Sequence, residues 1–321
     1  TQGRMELGYG LSSEEHSPAD LIRDARLAEE AGFGFGLISD HIHPWTNRQG
    51  HSGFVWGVLG AIGETTERFR IGTGVTCPLI RLHPAIVAHA AATAACLMPG
   101  RFFLGVGTGE NLNEHVTGAK WPASDERLAM LEEAVAVMRE LWRGDYVTHR
   151  GTHYTVENLR IFDVPNDGVE LAIAAMQPKA AELAGRIGDA LINVAPKEEI
   201  IGTFDDAGGK RKPKYGKVTV CWAASKDEAK KTAFEAWPNV LVEGSASQEL
   251  PLPSDFEQLV GDREPDDLEE TLTMGPDPDE YLEELQQYAD AGYTHAYVHQ
   301  IGPDQDGFFD FARRELLPHY A

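Results

Sequence analysis

Phe35-Gly36-Leu37-Ile38-Ser39-Asp40-His41-Ile42-His43-Pro44-Trp45 begins as a short apolar run and ends in ionisable and aromatic residues. The same design returns at Phe102-Phe103-Leu104-Gly105-Val106, followed by Gly107-Thr108-Gly109-Glu110. Each apolar run reads as a buried strand. Strand ends that deliver His, Trp and Glu into loops describe the mouth of a barrel rather than a core.

Outward from these two segments, strand and helix patterns alternate along the whole chain. Strands are predicted at 5–10, 35–39, 69–75, 102–106, 171–175, 190–194, 218–223 and 294–299. The first helix is announced by Ser17 at the N-cap and Pro18 at the first helical position, and it stops at Gly32. Further helices are expected at 53–65, 84–97 and 126–142, then from about Pro178, Lys197, Asp227, Asp279 and Phe308. A hairpin at 146–154 interrupts the rhythm. About eight βα units, with no Gly-x-Gly-x-x-Gly turn after the first strand, favour a closed α/β (β/α)8 TIM barrel over a doubly wound sheet. One barrel domain spanning 1–321 is therefore expected, with its site at the C-terminal ends of the strands. Residues 237–275 break the pattern, with five prolines or glycines before Asp262 and an acidic run after it. They are read as an insertion folded over the mouth, with a disordered segment as the alternative.

Composition narrows the partners. Of 321 residues, 51 are Asp or Glu and 28 are Lys or Arg, a net charge of −23 that argues against nucleic acid or an anionic membrane surface. The acid is spread along the chain, as in a solvating surface suited to high salt. No stretch approaches the ~20 apolar residues of a membrane span. Thr1-Gln2-Gly3-Arg4 ahead of Met5 reads as a leftover of expression cloning, and nothing resembles a signal peptide. Cys77, Cys96 and Cys221 lack the spacing of a disulfide framework or a zinc site, which suggests a cytoplasmic protein.

His41 and His43 form a His-x-His pair, the spacing of a binuclear metal hydrolase. That reading needs further ligands at later strand ends. The fifth strand ends in Ala174-Ala175-Met176 and the sixth in Asn193-Val194, so the ligand set is missing.

Taken in order, Ser39-Asp40-His41, Pro44-Trp45, Gly74-Val75 and Gly105-Val106-Gly107-Thr108-Gly109-Glu110 with Asn113 and Glu114 resemble the bacterial luciferase-like superfamily. Within it, the chain is similar to the branch of deazaflavin (coenzyme F420)-dependent glucose-6-phosphate and secondary-alcohol dehydrogenases. Leu141-Trp142-Arg143-Gly144-Asp145, Phe162-Asp163-Val164-Pro165 and Ala184-Gly185-Arg186-Ile187-Gly188-Asp189 extend the resemblance. It implies a hydride-transferring oxidoreductase acting on CH–OH groups, with F420 as cofactor, FMN as the alternative, and a homodimeric assembly. The runner-up activities are an FMN-dependent monooxygenase, a dehydrogenase specific for glucose 6-phosphate, and a barrel that only carries the deazaflavin.

The resemblance also implies residue roles. His41 would act as general base on the substrate hydroxyl, a task suited to a group titrating near neutrality. Trp45 and Glu110 would flank the ring, and Glu110, kept protonated by burial, would relieve the charge the ring gains. Glu14 matches a glutamate near the substrate. Asp40, Thr76, Gly107, Thr108, Gly109, Asn113, Ala174, Ala175, Met176 and Gln177 would contact the cofactor, and Gly74-Val75 matches a non-prolyl cis peptide behind the ring. Met176-Gln177 departs from the family's Gly-Gly. Lys197 matches one of three phosphate-holding cations. The second falls in the acidic insertion and the third on Thr271, leaving Lys210, Arg211, Lys212 and Lys214 as the compensating basic loop. His299, at the last strand end, either faces the substrate or satisfies a backbone carbonyl.

Overall fold

Short apolar runs separated by amphipathic helices give eight parallel strands in the computed structural model, which describes residues 4–242 and 244–320. They are β1 (Glu6–Leu11), β2 (Phe35–Ile38), β3 (Arg70–Thr73), β4 (Phe102–Val106), β5 (Glu170–Ala174), β6 (Ala190–Asn193), β7 (Lys214–Cys221) and β8 (His295–Gln300). Each strand pairs in parallel with the next, and β8 pairs with β1, so the sheet closes without an edge. This is the expected (β/α)8 barrel. Thr1, Gln2 and Gly3, part of the segment read as a cloning leftover, lie outside the described residues.

The barrel interior is filled, not hollow. Phe35, Leu37, Phe103, Ala172, Ala190, Ile192, Tyr215 and Tyr297 form one cluster, topped by the partly buried Val75 and Ala174. Large rings face glycines: a Cβ at Gly72 would fall 2.2 Å from the Phe103 ring, and one at Gly8 2.5 Å from Phe35. The second, larger core lies between strands and helices. The helix Pro18–Ala31 begins and ends as its sequence dictates, with the Ser17 side chain accepting from the Asp20 N–H and Gly32 at φ 113°.

Three expectations need adjustment. The hairpin is longer than 146–154, with arms Val147–Arg150 and Thr155–Leu159. Its second arm buries only Val156 fully, so the sequence shows little strand pattern there. β7 starts at Lys214, not Val218, because the Lys214 ammonium is paired with Asp205 at 2.9 Å and a lysine can therefore begin a buried strand. The segment 237–275, apart from residue 243, is folded: its helical turns Pro238–Leu241, Pro253–Val260 and Pro265–Leu268 each start at a proline, the position where the missing N–H costs nothing. It covers the mouth. The fully buried Phe256 packs edge-on against Trp45 at 5.3 Å, and Glu257 accepts from the Asn47 backbone and side chain at 2.8 and 3.3 Å.

Candidate active site

β2 ends by turning His41 inward, where it is 8% exposed. Its Nδ1 lies 3.1 Å from the His43 carbonyl, which can only accept, so Nδ1 carries the proton and donates it there. Its Nε2 lies 3.3 Å from Oε1 of Glu14, from the loop after β1. The other Glu14 oxygen accepts from the hydroxyls of Ser12 at 3.0 Å and Ser39 at 2.8 Å. Burial works against charge on Glu14, but His41, Lys217 and the Ser39 hydroxyl together hold its carboxyl below the usual range. Trp45 stands beside His41, with ring centroids 4.9 Å apart.

Asn113 joins the two mouth segments. Its Oδ1 accepts from the backbone N–H of Ile42 at 2.9 Å and of His43 at 3.3 Å, while its Nδ2 donates to Glu110 at 3.3 Å. Glu110 is therefore aimed from the β4 loop relative to His41 on the β2 loop. It is half-exposed rather than buried, so any shielding of its carboxyl must come from what binds over it. Asp40 is fully engaged by protein: its oxygens accept from Thr76 at 2.8 Å and from Arg81 at 2.9 Å. The buried Glu114 accepts the Arg81 N–H at 2.6 Å, and its burial pushes the carboxyl up against the pull of Arg81.

Between these loops lies a floor of small side chains. The Gly74–Val75 peptide is cis, as the resemblance implied. A Cβ at Gly107 would come within 2.8 Å of Val75, and Gly109 sits at φ 75° with no room for a side chain against Cys77. Val75 and Ala174 cap the interior plug while staying partly exposed, an apolar surface whose chemistry suits a planar ring system. Ala175 is buried; Thr108 and Met176 are half-buried, and Gln177 is exposed as the N-cap of the helix Pro178–Ile187. His41 and His43 each direct Nδ1 at a backbone carbonyl, and among the described residues no three His, Cys, Asp or Glu side chains converge as metal ligands.

With this geometry in view, the comparison with known proteins is direct. A model of the luciferase-like monooxygenase family matches residues 4–295. The chain belongs to the luciferase-like family. A protein of Microbacterium testaceum named F420-dependent glucose-6-phosphate dehydrogenase is 35% identical over 98% of this chain and 97% of its own length. One of the same name from Nocardia farcinica is 36% identical over 98% of each. The solved F420-dependent secondary alcohol dehydrogenase, in complex with an F420-acetone adduct, matches at a TM-score of 0.92 and 30% identity, covering 99% of both chains.

Not every residue singled out in this luciferase-like chain reaches the mouth. The loop Lys210 to Lys214 cannot supply a phosphate grip, because it precedes β7 and so lies at the opposite end of the barrel. There Lys212 donates to the Gly185 carbonyl at 2.7 Å, and the Lys214 ammonium is ion-paired with Asp205. Lys197 is exposed at the start of the helix Glu198–Phe204. His299 satisfies no carbonyl: its Nε2 pairs with Glu15 at 2.6 Å, and its buried Nδ1 has no hydrogen-bond partner. Lys217 and Arg81 escaped the sequence reading. The signal for Lys217 was the alternation Tyr215, Lys217, Thr219 along β7, hidden because neighbouring lysines made the segment resemble a solvated turn.

Proposed function

We propose that this chain is a coenzyme F420-dependent dehydrogenase moving a hydride between the CH–OH carbon of an alcohol or sugar and the deazaflavin. The observation that carries the proposal is the His41–Glu14 contact beside the platform of Gly74, Val75, Gly107 and Ala174. The names of the full-length relatives support the cofactor and the bond acted upon. Bound F420 supplies a two-electron acceptor for the hydride. Gly74, Val75, Thr76, Gly107, Thr108, Gly109, Ala174, Ala175, Met176 and Gln177 are the residues to hold it, with Asp40 and Asn113 fixing the loops that present them.

His41 Nε2 takes the hydroxyl proton, since Nδ1 is committed to the His43 carbonyl. Glu14 Oε1 then faces the new N–H and stabilises the imidazolium. Trp45 and the Phe256 lid exclude water, and Glu110 is the carboxyl available to hydrogen-bond the ring. Three unpaired cysteines fit a cytoplasmic setting, and the family resemblance supports a homodimer.

The substrate is an alcohol or unphosphorylated sugar. Among the mouth residues the resemblance assigns to phosphate, only Lys197 is a cation, and Glu14 and Glu110 would repel a dianion. Glucose 6-phosphate is the second reading, favoured by the relatives' names. Steady-state kinetics with isopropanol, glucose and glucose 6-phosphate separate the two. Higher kcat/KM for the uncharged substrates is expected. Efficient turnover of the sugar phosphate, lost in Lys197→Ala, would establish the second reading instead.

A further inference from the structure

Lys217 is a charged side chain of the upper barrel to which the chemistry above gives no task. It shares the inward face of β7 with Tyr215, a member of the interior plug. With Ser12, Glu14, Ser39, Gly74 and His299 it lines a space of about 20 Å³. That volume admits about one water molecule and excludes a phosphate or a sugar carbon. The Lys217 ammonium itself lies against Trp237 from the segment 237–275, 5.3 Å from the ring centroid. Among the described residues no carboxylate makes a direct ion pair with Lys217; Glu14 and Glu15 are the acids whose charge reaches it. Glu15 is already matched by His299 and the Gly302 N–H. Glu14 has the Ser12 and Ser39 hydroxyls, its own backbone N–H and His41.

We infer that Lys217 is a positioning residue: lining the same small space as Glu14, it keeps Glu14 a carboxylate and so leaves His41 Nε2 as the atom that receives the substrate proton. The inference rests on the dehydrogenase reading above. Were Glu14 to hold a proton at rest, its O–H would point at Nε2 and occupy the lone pair that the hydroxyl needs. Burial alone drives Glu14 toward that neutral form; the Lys217 charge and the Ser39 hydroxyl oppose it at rest, and His41 joins them only once it carries the extra proton. The other ionisable groups nearby are His299 on β8 and Glu15 in the loop after β1, which pair with each other at 2.6 Å. During oxidation the hydroxyl O–H bond breaks and an N–H bond forms at Nε2. The C–H electron pair leaves as hydride as the carbonyl forms, and Lys217 gains and loses nothing.

The sign of the effect is fixed. The pair without its extra proton is the more negative state, and a nearby cation stabilises that state. Removing the cation must raise the pH at which His41 becomes a base, by about one unit, the low end of what a neighbouring charge does. Lys217→Met and Lys217→Gln remove the charge at similar size, and Lys217→Arg keeps it. Two readouts apply to the full chain: the pH profile of kcat/KM for alcohol oxidation, and the imidazole titration of His41 by NMR without cofactor. Both neutral variants should move the acid limb and the His41 titration upward by about one unit, an about tenfold loss of kcat/KM below the limb, with Lys217→Arg close to wild type. An unmoved His41 titration, an equal shift in Lys217→Arg, or a loss of substrate affinity with an unmoved limb would overturn the inference. If the wild type reduces F420 with no alcohol, the dehydrogenase reading falls, and the His41 titration alone decides the role of Lys217.

Discussion

The general-base role proposed for His41 rests on what its two nitrogens face. One donates to a carbonyl of its own loop, and the other stands 3.3 Å from a carboxylate that the serines 12 and 39 hold in place. Removing the ring removes the proposed proton acceptor but none of the platform proposed to carry the cofactor. His41→Ala should therefore lower kcat by ~10²–10⁴-fold while changing F420 affinity far less. Stopped-flow reduction rates and tryptophan-quenching titrations measure the two separately. Unchanged turnover would remove His41 from the chemistry.

Two elements set conditions around the site. Phe256 anchors the insertion on Trp45 from the buried face of the helix Pro253–Val260. Truncating a fully buried phenylalanine costs about 3–5 kcal/mol. Phe256→Ala should show that loss in urea unfolding together with a raised substrate KM, and an unchanged KM would mean that the insertion does not shape the mouth. The helix Pro18–Ala31 buries Asp24, whose carboxyl burial pushes up to about 6 from 3.8, with Arg23 opposing. Its charged form is thus disfavoured in the folded state. The stability contributed by the neutral form is complete below the unfolded pKa and is lost as pH rises through about 6. Asp24→Asn should match wild type near pH 4 and become more stable by on the order of 2 to 3 kcal/mol above pH 6. Denaturation midpoints across that range test it, and a gain independent of pH would contradict the assignment.

At the scale of the whole molecule, the barrel was legible because all eight apolar runs recur in order and each ends in turn or site residues. His41, Trp45, Glu110 and Glu14 stood out as site candidates because such residues at strand ends have little structural purpose. What composition could not reveal was pairing across distance. The sequence does not show that Asn113 ties the β2 and β4 loops, or that Glu15 is reserved for His299. Lys217 was obscured for a similar reason: a lysine reads as solvated until the barrel's curvature encloses it. The basic loop at 210–214 misled in the opposite sense, since a sequence does not show which end of a barrel a loop serves until the strand boundary is fixed. Hydride transfer from a CH–OH carbon to F420 is the central claim for this acidic barrel. It is tested most directly by mixing the purified chain with oxidised F420 and a panel of alcohols and sugars while following the cofactor's visible absorbance, with FMN in parallel. The account predicts rapid, substrate-dependent loss of the oxidised F420 band and none of the FMN band; tight FMN binding with no F420 reduction by any substrate would contradict it.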